Sequence, residues 1–319
     1  REPGLEAASV TVETAPDPGT RLTTQLAAAT DADAPSFALD VLEEVAVTYP
    51  ASSSTVRAYV ALTFKGRTRG RERDHDAVAR DLASRIYGLT SALEATGAGA
   101  SAPLSASQLA EVVRVAYSPT DALLFEQARA QGDRNVATWS DAGPMAADAH
   151  YSWYRHDEAK SITWSMIGAP EGIVQADVLA PLLAPHPDIL RKRVTMLYRP
   201  KSPAEAAKIV DRDVAAASFR NSAKRAESAR ASRAVRAAQA TAQEEAQGAG
   251  LVNFGTLITA TVLEETDLSD AAAMVDDLAA EARLRIRRMY GSQDSGFLGA
   301  LPIGLVLAKF MAAPSLEDA

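Results

Sequence analysis

The chain has 319 residues and no cysteine, which excludes disulfides, thiolate metal sites and cysteine nucleophiles. Its sequence also lacks an apolar run of about 18 residues, the length that a membrane-spanning helix requires. The most apolar stretch, around Leu298 to Phe310, is interrupted by Pro302 and Lys309. A hydrophobic content of 47% with 23% charged residues is typical of a packed globular protein.

Motifs for nucleotide and metal chemistry are also missing. No glycine-rich loop ends in Lys-Ser or Lys-Thr, so the amide cradle and the lysine that hold nucleotide phosphates are absent. None of the four histidines forms a His-x-x-x-His pair with another: His75, His150, His156 and His186. The serines between Gly291 and Gly296 do not form a nucleophile motif, and no histidine follows them. We therefore predict no catalytic residue, metal or cofactor, and no ATP binding or hydrolysis.

The beginning of the chain gives little structural signal. It starts at Arg1, without an initiator methionine or a signal-peptide pattern, which indicates a piece of a longer polypeptide whose membrane anchor would lie upstream. Residues 1–40 are rich in Ala, Thr, Pro and Asp and show no clear period. They are interpreted as a mobile leader or a weakly ordered strand.

Residues 41–150 are predicted to form an N-terminal α+β subdomain. Apolar residues alternate over 41–49 and again over 56–64, which predicts two strands joined as a hairpin. A helix with an apolar face at Val78, Leu82, Ile86, Leu89 and Leu93 then stops at Gly97. Ser105 and Gln108 form a capping box for the next helix, which ends before Pro119, and a short helix is predicted over Leu123 to Ala130.

Residues 151–319 are predicted to form a second subdomain with a regular order of elements. Strands are expected at Ile162 to Met166, Val194 to Tyr198, Leu251 to Leu263 and Leu284 to about Tyr290. One helix is expected between the first two strands, and another between the last two. This order predicts an α+β fold, a ferredoxin-like split β-α-β sandwich with a long helical insertion. A shorter unit of the same kind is the alternative for residues 41–117.

The insertion, residues 203–247, is predicted to form a helical arm. Large apolar residues nearly vanish after Phe219, leaving only Val235 before Gly248, so one face cannot be buried in its own domain. Between Arg191 and Arg236, thirteen Lys and Arg face four Asp and Glu, a local balance of +9 in a chain of net charge −8. The candidate contacts to a partner or a nucleic acid are basic residues spread over most of the circumference: Arg220, Lys224, Arg225, Arg230, Arg233 and Arg236. A solvated arm whose arginines pair with local carboxylates is the other interpretation.

Several segments resemble a known family. They are Pro103-Leu104-Ser105 with Leu109, Val113, Arg114 and Tyr117-Ser118-Pro119; Leu182 to Arg193; the Arg/Ala-rich helix before Gly250; and Tyr290-Gly291-Ser292-Gln293-Asp294 with Phe297, Leu301 and Pro302. Together they cover residues 55 to 305. In these the sequence is similar to actinobacterial conjugation proteins that carry membrane helices followed by a domain resembling the N-terminal, non-ATPase domain of type IV secretion assembly ATPases.

This resemblance implies a cytoplasmic, membrane-associated domain that helps to build a DNA or protein transfer channel beside a separate ATPase subunit. The sequence thus favours a non-catalytic structural or adaptor component of a conjugative type IV secretion machine, which docks the ATPase through its sheet domain or its arm. The alternative is a nucleic-acid-binding module that uses the basic arm. A third hypothesis, an enzyme of unknown class, has no motif to support it.

Overall fold

The computed structural model describes residues 4–16, 54–65, 75–133, 136–168, 177–186, 188–222 and 229–306. Within these ranges one eight-stranded antiparallel sheet is accompanied by eight α-helices, which confirms the α+β class. No helix in the described part of the chain has the length and apolarity needed to cross a bilayer. The predicted strand over 41–49 lies outside the described residues.

The eight strands are distributed over the whole described chain. Their bounds are β1 Leu5–Ala15, β2 Thr55–Phe64, β3 Ala147–Ala149, β4 Tyr154–His156, β5 Ala159–Gly168, β6 Arg191–Pro200, β7 Val252–Leu263 and β8 Arg285–Arg288. The order in the sheet is β2-β1-β6-β7-β5-β4-β3, and β8 pairs with β5. The four strands predicted in the second subdomain therefore lie in one sheet, as expected. Strand β2 joins the same sheet, so the described strands do not form a second sandwich at 41–117.

The helices are α1 His75–Ala95, α2 Ala106–Tyr117, α3 Asp121–Ala130, α4 Ala180–Leu183, α5 Pro203–Ser222, α6 Ala229–Ala246, α7 Leu268–Glu281 and α8 Gln293–Gly299. The capping box predicted for α2 is present. The Gln108 amide donates to Ser105 Oγ at 3.2 Å, and the Ser105 amide donates to Gln108 Oε1 at 2.8 Å. The predicted stop after α1 is present as well, at Gly97 with φ 82°.

The described residues divide into two compact units. The smaller unit holds residues 4–8, 62–65, 197–222 and 229–255, and the larger unit holds the rest. The larger unit includes residues on both sides of position 150. In the smaller unit, the backbone amide of Lys65 donates to the Gly4 carbonyl at 2.8 Å.

One face of the sheet in the larger unit carries the main hydrophobic core. Helices α4 and α7 cover strands β5, β6 and β7 there, as the sequence predicted for two helices on one face. The buried side chains that meet in this core include Trp164, Val194, Ile258, Leu182 and Val275. Along β5 and β7 the core residues occupy every second position, because successive strand residues point to opposite faces.

The opposite face of the sheet is polar although it is buried. Thr163 pairs with Thr259 at 2.9 Å and Thr11 pairs with Thr195 at 3.0 Å through their hydroxyl groups. Helices α2, α3 and α8 pack around this face with a second apolar cluster that includes Val113, Tyr117, Phe125, Tyr154, Phe297 and Leu301. Phe297 and Leu301, two of the residues that carried the family resemblance, lie in this cluster.

Strand β1 lies in the segment that was interpreted as a mobile leader or a weakly ordered strand. It lies between β2 and β6 in the sheet, and its buried residues are polar: Ser9, Thr11, Glu13 and Thr14. The alternation is therefore present, but hydroxyl and carboxylate side chains occupy the buried positions where apolar residues would reveal a strand.

Helix α1 forms where it was predicted, but its apolar stripe does not enter a core. No residue of α1 is buried, and Leu82 and Ile86 are 40% and 39% exposed. Helical periodicity indicated the correct secondary structure here, whereas burial depends on what packs against the helix.

Gly296 in α8 gives a first prediction. Alanine usually stabilises a helix by about 0.5–1 kcal/mol relative to glycine. At Gly296, however, a Cβ would lie 2.9 Å from Cγ2 of the buried Thr163 and 2.7 Å from Met289 Sδ. We expect Gly296→Ala to lower the free energy of unfolding by about 1–3 kcal/mol, measured by urea denaturation.

The matched control is Gly88→Ala in α1, where a Cβ would meet no atom within 4 Å. This variant should gain about 0.5–1 kcal/mol. Equal gains in both variants would show that α8 does not pack on β5 as described.

Candidate functional site

A helical arm was predicted over residues 203–247. The structure has two helices in this range, α5 and α6, which follow β6 and precede β7 in the chain. The two helices pack against each other. Helix α5 ends at Ser222, within the Asn221-Ser222 pair that the sequence indicates as weak helix formers. Residues 223–228, which connect the helices, lie outside the described residues.

The N-terminus of α5 is fixed by a capping box. The Ser202 amide donates to Glu205 Oε2 at 3.0 Å, and the Glu205 amide donates to Ser202 Oγ at 3.3 Å. The hydrogen bonds from Ser202, helped by Lys201 and Lys65, lower the pKa of Glu205. At the other end, α6 ends at Ala246. Gly248 follows with φ 94°, a backbone conformation that favours glycine.

The base of the helical pair is closed by a backbone hydrogen bond. The Lys201 amide, just before α5, donates to the Leu251 carbonyl, just before β7, at 2.9 Å. The chain therefore leaves β6 and returns to β7 at nearly the same place. This makes the pair a separate module on the smaller unit.

The contact between the two helices uses mostly small side chains. Helix α5 buries Ala206, Val210 and Ala217. The half-buried positions of α6 with described side chains recur at helical spacing: Ser232, Val235, Ala238, Ala242 and Glu245. Because alanine buries little apolar area, this contact contributes less than a core of large side chains would.

The six predicted basic residues have different outcomes. Lys224 and Arg225 lie outside the described residues, and only the backbone is described for Arg220, Arg230 and Arg233. Arg236 is exposed, and its Nε donates to the Ser232 carbonyl at 3.4 Å. In α6 the arginines stand three residues apart at 230, 233 and 236, so their backbone positions share one side of the helix. The half-buried positions fall on the other side.

A cleft of about 390 Å³ lies at the base of the helical pair within the smaller unit. Lys65, Arg199 and Lys201 line it together with Glu6 and Glu205. Three cations against two carboxylates give this concave surface a small positive excess. It can therefore attract an acidic side chain of a partner, although the carboxylates limit the strength of that attraction.

The larger unit contains a buried charge cluster that sequence reasoning missed, formed by Glu13, Arg191 and Arg193. Arg191 Nη1 donates to Glu13 Oε1 at 2.7 Å, and Arg193 Nη1 lies 3.8 Å from Glu13 Oε2. The Arg193 guanidinium carbon lies 4.5 Å from the centre of the Phe297 ring. Its nitrogens make no hydrogen bond within the described part of the chain.

Burial changes the acidity of Lys192 and Arg193 near the start of β6. It lowers the pKa of Arg193 to about 10, although Glu13 partly opposes this change. It lowers the pKa of Lys192 to about 8, and Lys192 Nζ donates to the Ala184 carbonyl at 2.6 Å. The cluster contains two arginines and one carboxylate. Glu13 is therefore needed to compensate the positive charges that are buried in the fold.

His156 lies in the same polar layer and is fully buried. Its Nδ1 donates to the Tyr117 carbonyl at 2.6 Å, and its Nε2 accepts from Ser161 Oγ at 2.7 Å, which fixes a neutral tautomer. Ser161 in turn pairs with Thr261 at 2.7 Å. Burial lowers the pKa of His156 to about 4, against the opposing hydrogen bond to Tyr117.

No protein-family model matches the chain, and no curated protein matches it. The resemblance to conjugation proteins thus stays a prediction that depends on the quoted residues alone. Within the described residues, no group of three potential metal ligands comes together.

Spacing along the sequence could indicate the helical pair but not the buried charge cluster. Glu13 is 178 residues from Arg191, and only the sheet order brings β1 next to β6. The available signal was the run of three basic residues at 191–193, at the start of a predicted strand, because arginine and lysine are rarely buried.

Proposed function

We propose that this chain is a non-catalytic structural or adaptor component of a conjugative type IV secretion machine, which docks a separate ATPase subunit through the α5–α6 pair. The observation that carries this proposal is the form of the pair. It is closed at its base by the hydrogen bond between Lys201 and Leu251, and most of its described surface is exposed. A long insertion with so little burial is better suited to contacting a partner than to stabilising its own fold.

The proposal includes a ferredoxin-like unit built from β5, α4, β6, β7, α7 and β8. Its support is the strand order β6-β7-β5-β8, in which the first strand of each half lies in the middle of the sheet. In this arrangement α5 and α6 are the helical insertion between the two halves. Such a unit would sit at the cytoplasmic face of the membrane as part of a longer, anchored protein.

Nucleic acid is the second candidate partner of the helical pair. It is favoured by the arginine positions 230, 233 and 236, which share one side of α6. The two candidates differ in their response to salt. Binding to phosphates should weaken steeply between about 50 and 200 mM salt, whereas docking of a protein through apolar and mixed contacts should weaken much less.

The test is to shorten both helices equally. Replacing residues 214–236 by a five-residue Gly/Ser loop removes all six predicted basic residues and retains Val210 and Ala242. Because Ala217 is the one described buried residue that is lost, we expect the melting temperature to fall by only a few degrees. Transfer of DNA or protein in cells should be abolished.

A second variant separates docking from charge. It keeps both helices and replaces the six basic residues by glutamine. Docking through the helix surface predicts partial transfer with this variant, whereas a purely electrostatic contact predicts none. Normal transfer by the shortened protein would contradict the proposal, and unfolding of the shortened protein would show that the pair belongs to the core.

A further inference from the structure

Strand β8 forms a basic edge of the sheet in the larger unit. The segment 283–290 contains four arginines and no acidic residue. Within the described residues β8 pairs only with β5, where Trp164 is opposite Arg288 and Met166 is opposite Ile286. We call Arg283, Arg285 and Arg287 the arginine strand.

The two sides of β8 have different roles. Leu284 and Ile286 pack on the core beneath α7, and the Arg288 guanidinium lies 5.6 Å from the centre of the Trp164 ring. Arg288 is also 3.9 Å from Asp276. Since successive strand residues point to opposite faces, Arg285 and Arg287 lie on the other side, where both are exposed.

The arginine strand is not neutralised locally. Among the described residues, no carboxylate lies within the 4.0 Å ion-pair distance of Arg283, Arg285 or Arg287. The Arg285 guanidinium crosses Gly168, where its Nη2 lies 2.5 Å from the position that a Cβ would occupy. Gly168 therefore leaves room for this guanidinium against the backbone of β5, at the point where the strand register shifts.

Arg283 occupies a position that usually holds glycine. It follows the end of α7 with φ 54°, and its amide donates to the Ala280 carbonyl at 3.0 Å. A left-handed residue after a helix is unfavourable for side chains that have a Cβ. An arginine here therefore weakens the fold relative to glycine while it adds a third exposed positive charge to this edge.

Tyr290 follows the arginines in the chain and stacks on a second exposed tyrosine, Tyr151. Tyr151 and Tyr290 stack with ring centres 5.3 Å apart and an angle of 22° between the rings. They are 72% and 49% exposed. The Gly291 amide donates to the Tyr151 carbonyl at 2.7 Å, which holds the two turns together. The outer ring faces can therefore stack with a flat partner without rearrangement.

We propose that the arginine strand and the Tyr151–Tyr290 pair form a binding surface for single-stranded nucleic acid. The arginines provide charge for the phosphates, and the tyrosines provide a stacking surface for a base. Unpaired bases are required, because a duplex hides the base faces. A lipid surface would use the charges but has no flat group for the tyrosine pair. The arginine strand and both tyrosines belong to the larger unit, whereas the α5–α6 pair belongs to the smaller unit.

The test uses the full chain and a 5′-fluorescein-labelled oligomer of 20 deoxythymidines, followed by fluorescence anisotropy in 50 to 200 mM NaCl. If each arginine neutralises one phosphate, R283Q/R285Q/R287Q should weaken binding about 100-fold at 0.1 M salt. It should also reduce the slope of log affinity against log salt by about 2. Y290A should weaken binding at least about fivefold and leave the slope unchanged.

A charge-matched control removes three exposed arginines elsewhere, R80Q/R129Q/R212Q, and should leave affinity and slope nearly unchanged. R283G separates binding from folding, because it should raise or maintain the melting temperature while it reduces the slope by about 0.7. Equal losses in the two triple variants would overturn the proposal. Equal affinity for a duplex of the same length, or binding only to vesicles containing phosphatidylserine, would overturn it as well.

The protein with the shortened helical pair distinguishes this surface from the arm. It should bind the oligomer as well as the full chain does. If the shortened protein loses binding while R283Q/R285Q/R287Q retains it, this inference is wrong and the nucleic-acid alternative for α5–α6 is supported instead.

Discussion

Replacing Glu13 by alanine is expected to lower the free energy of unfolding by about 3–5 kcal/mol. The Glu13 and Arg193 side chains are only 6% and 1% exposed. Without the carboxylate, two neighbouring guanidinium groups would remain in a poorly solvated environment. The cost would come from the positive charges left behind more than from the contacts that are lost.

Urea denaturation of three variants can test this explanation. Glu265→Ala, at an exposed carboxylate, should change stability by less than about 0.5 kcal/mol. The double variant Glu13→Met/Arg193→Met should be clearly more stable than Glu13→Ala, because it removes the buried charge together with its partner. A double variant as unstable as Glu13→Ala would show that packing, and not charge, explains the loss.

Acidification is expected to destabilise the fold through His156. Its pKa is about 4 in the folded protein and 6.5 in an unfolded chain, so the unfolded state binds the proton more tightly. The stabilisation is complete above pH 6.5 and is lost as the pH falls towards 4. The expected loss is about 2 kcal/mol between pH 7.5 and pH 5 and about 3 kcal/mol by pH 4.

The measurement is the free energy of unfolding at pH 7.5 and at pH 5. His156→Phe should be less stable at both values, since the Tyr117 carbonyl and Ser161 lose their partner, but the difference between the two values should shrink by about 2 kcal/mol. His75→Gln, at an exposed position in α1, should retain the full difference. An unchanged difference in His156→Phe would assign the acid sensitivity to other groups.

The parts of the fold that were predictable have a simple sequence pattern. In β5 and β7, large apolar residues alternate on the side that faces α4 and α7, so periodicity indicated both strands and their inner face. The start of α2 was predictable from Ser105 and Gln108, because a capping box depends only on residues three positions apart.

The parts that were missed depend on contacts between distant residues. The buried side of β1 consists of Ser9, Thr11 and Glu13, which hydrophobicity assigns to a surface or a loop. Thr11 and Glu13 can be buried because β6 provides a hydroxyl partner for the first and arginine partners for the second. Conversely, the stripe of α1 had the pattern of a core helix, yet the structure buries none of its residues.

The same distinction applies to the candidate sites. The helical nature of the α5–α6 pair was predictable because the composition changes abruptly after Phe219. The arginine strand was not singled out, because a four-residue strand shows its two sides only after its register with β5 is known. The stacking of Tyr151 on Tyr290 joins residues 139 positions apart, and no local pattern indicates such a contact.

The hydrogen bond between Lys201 and Leu251 closes the base of the α5–α6 pair. The two helices can therefore change in length without a change in the sheet. Adding seven residues to each helix would extend the pair by about 10 Å and keep nearly the same side of each helix facing its neighbour. Strands β6 and β7 would not move, because the chain would still leave and return at the same two residues. The distance that the pair extends from its base is therefore set by helix length alone, while the base at Lys201 and Leu251 stays the same.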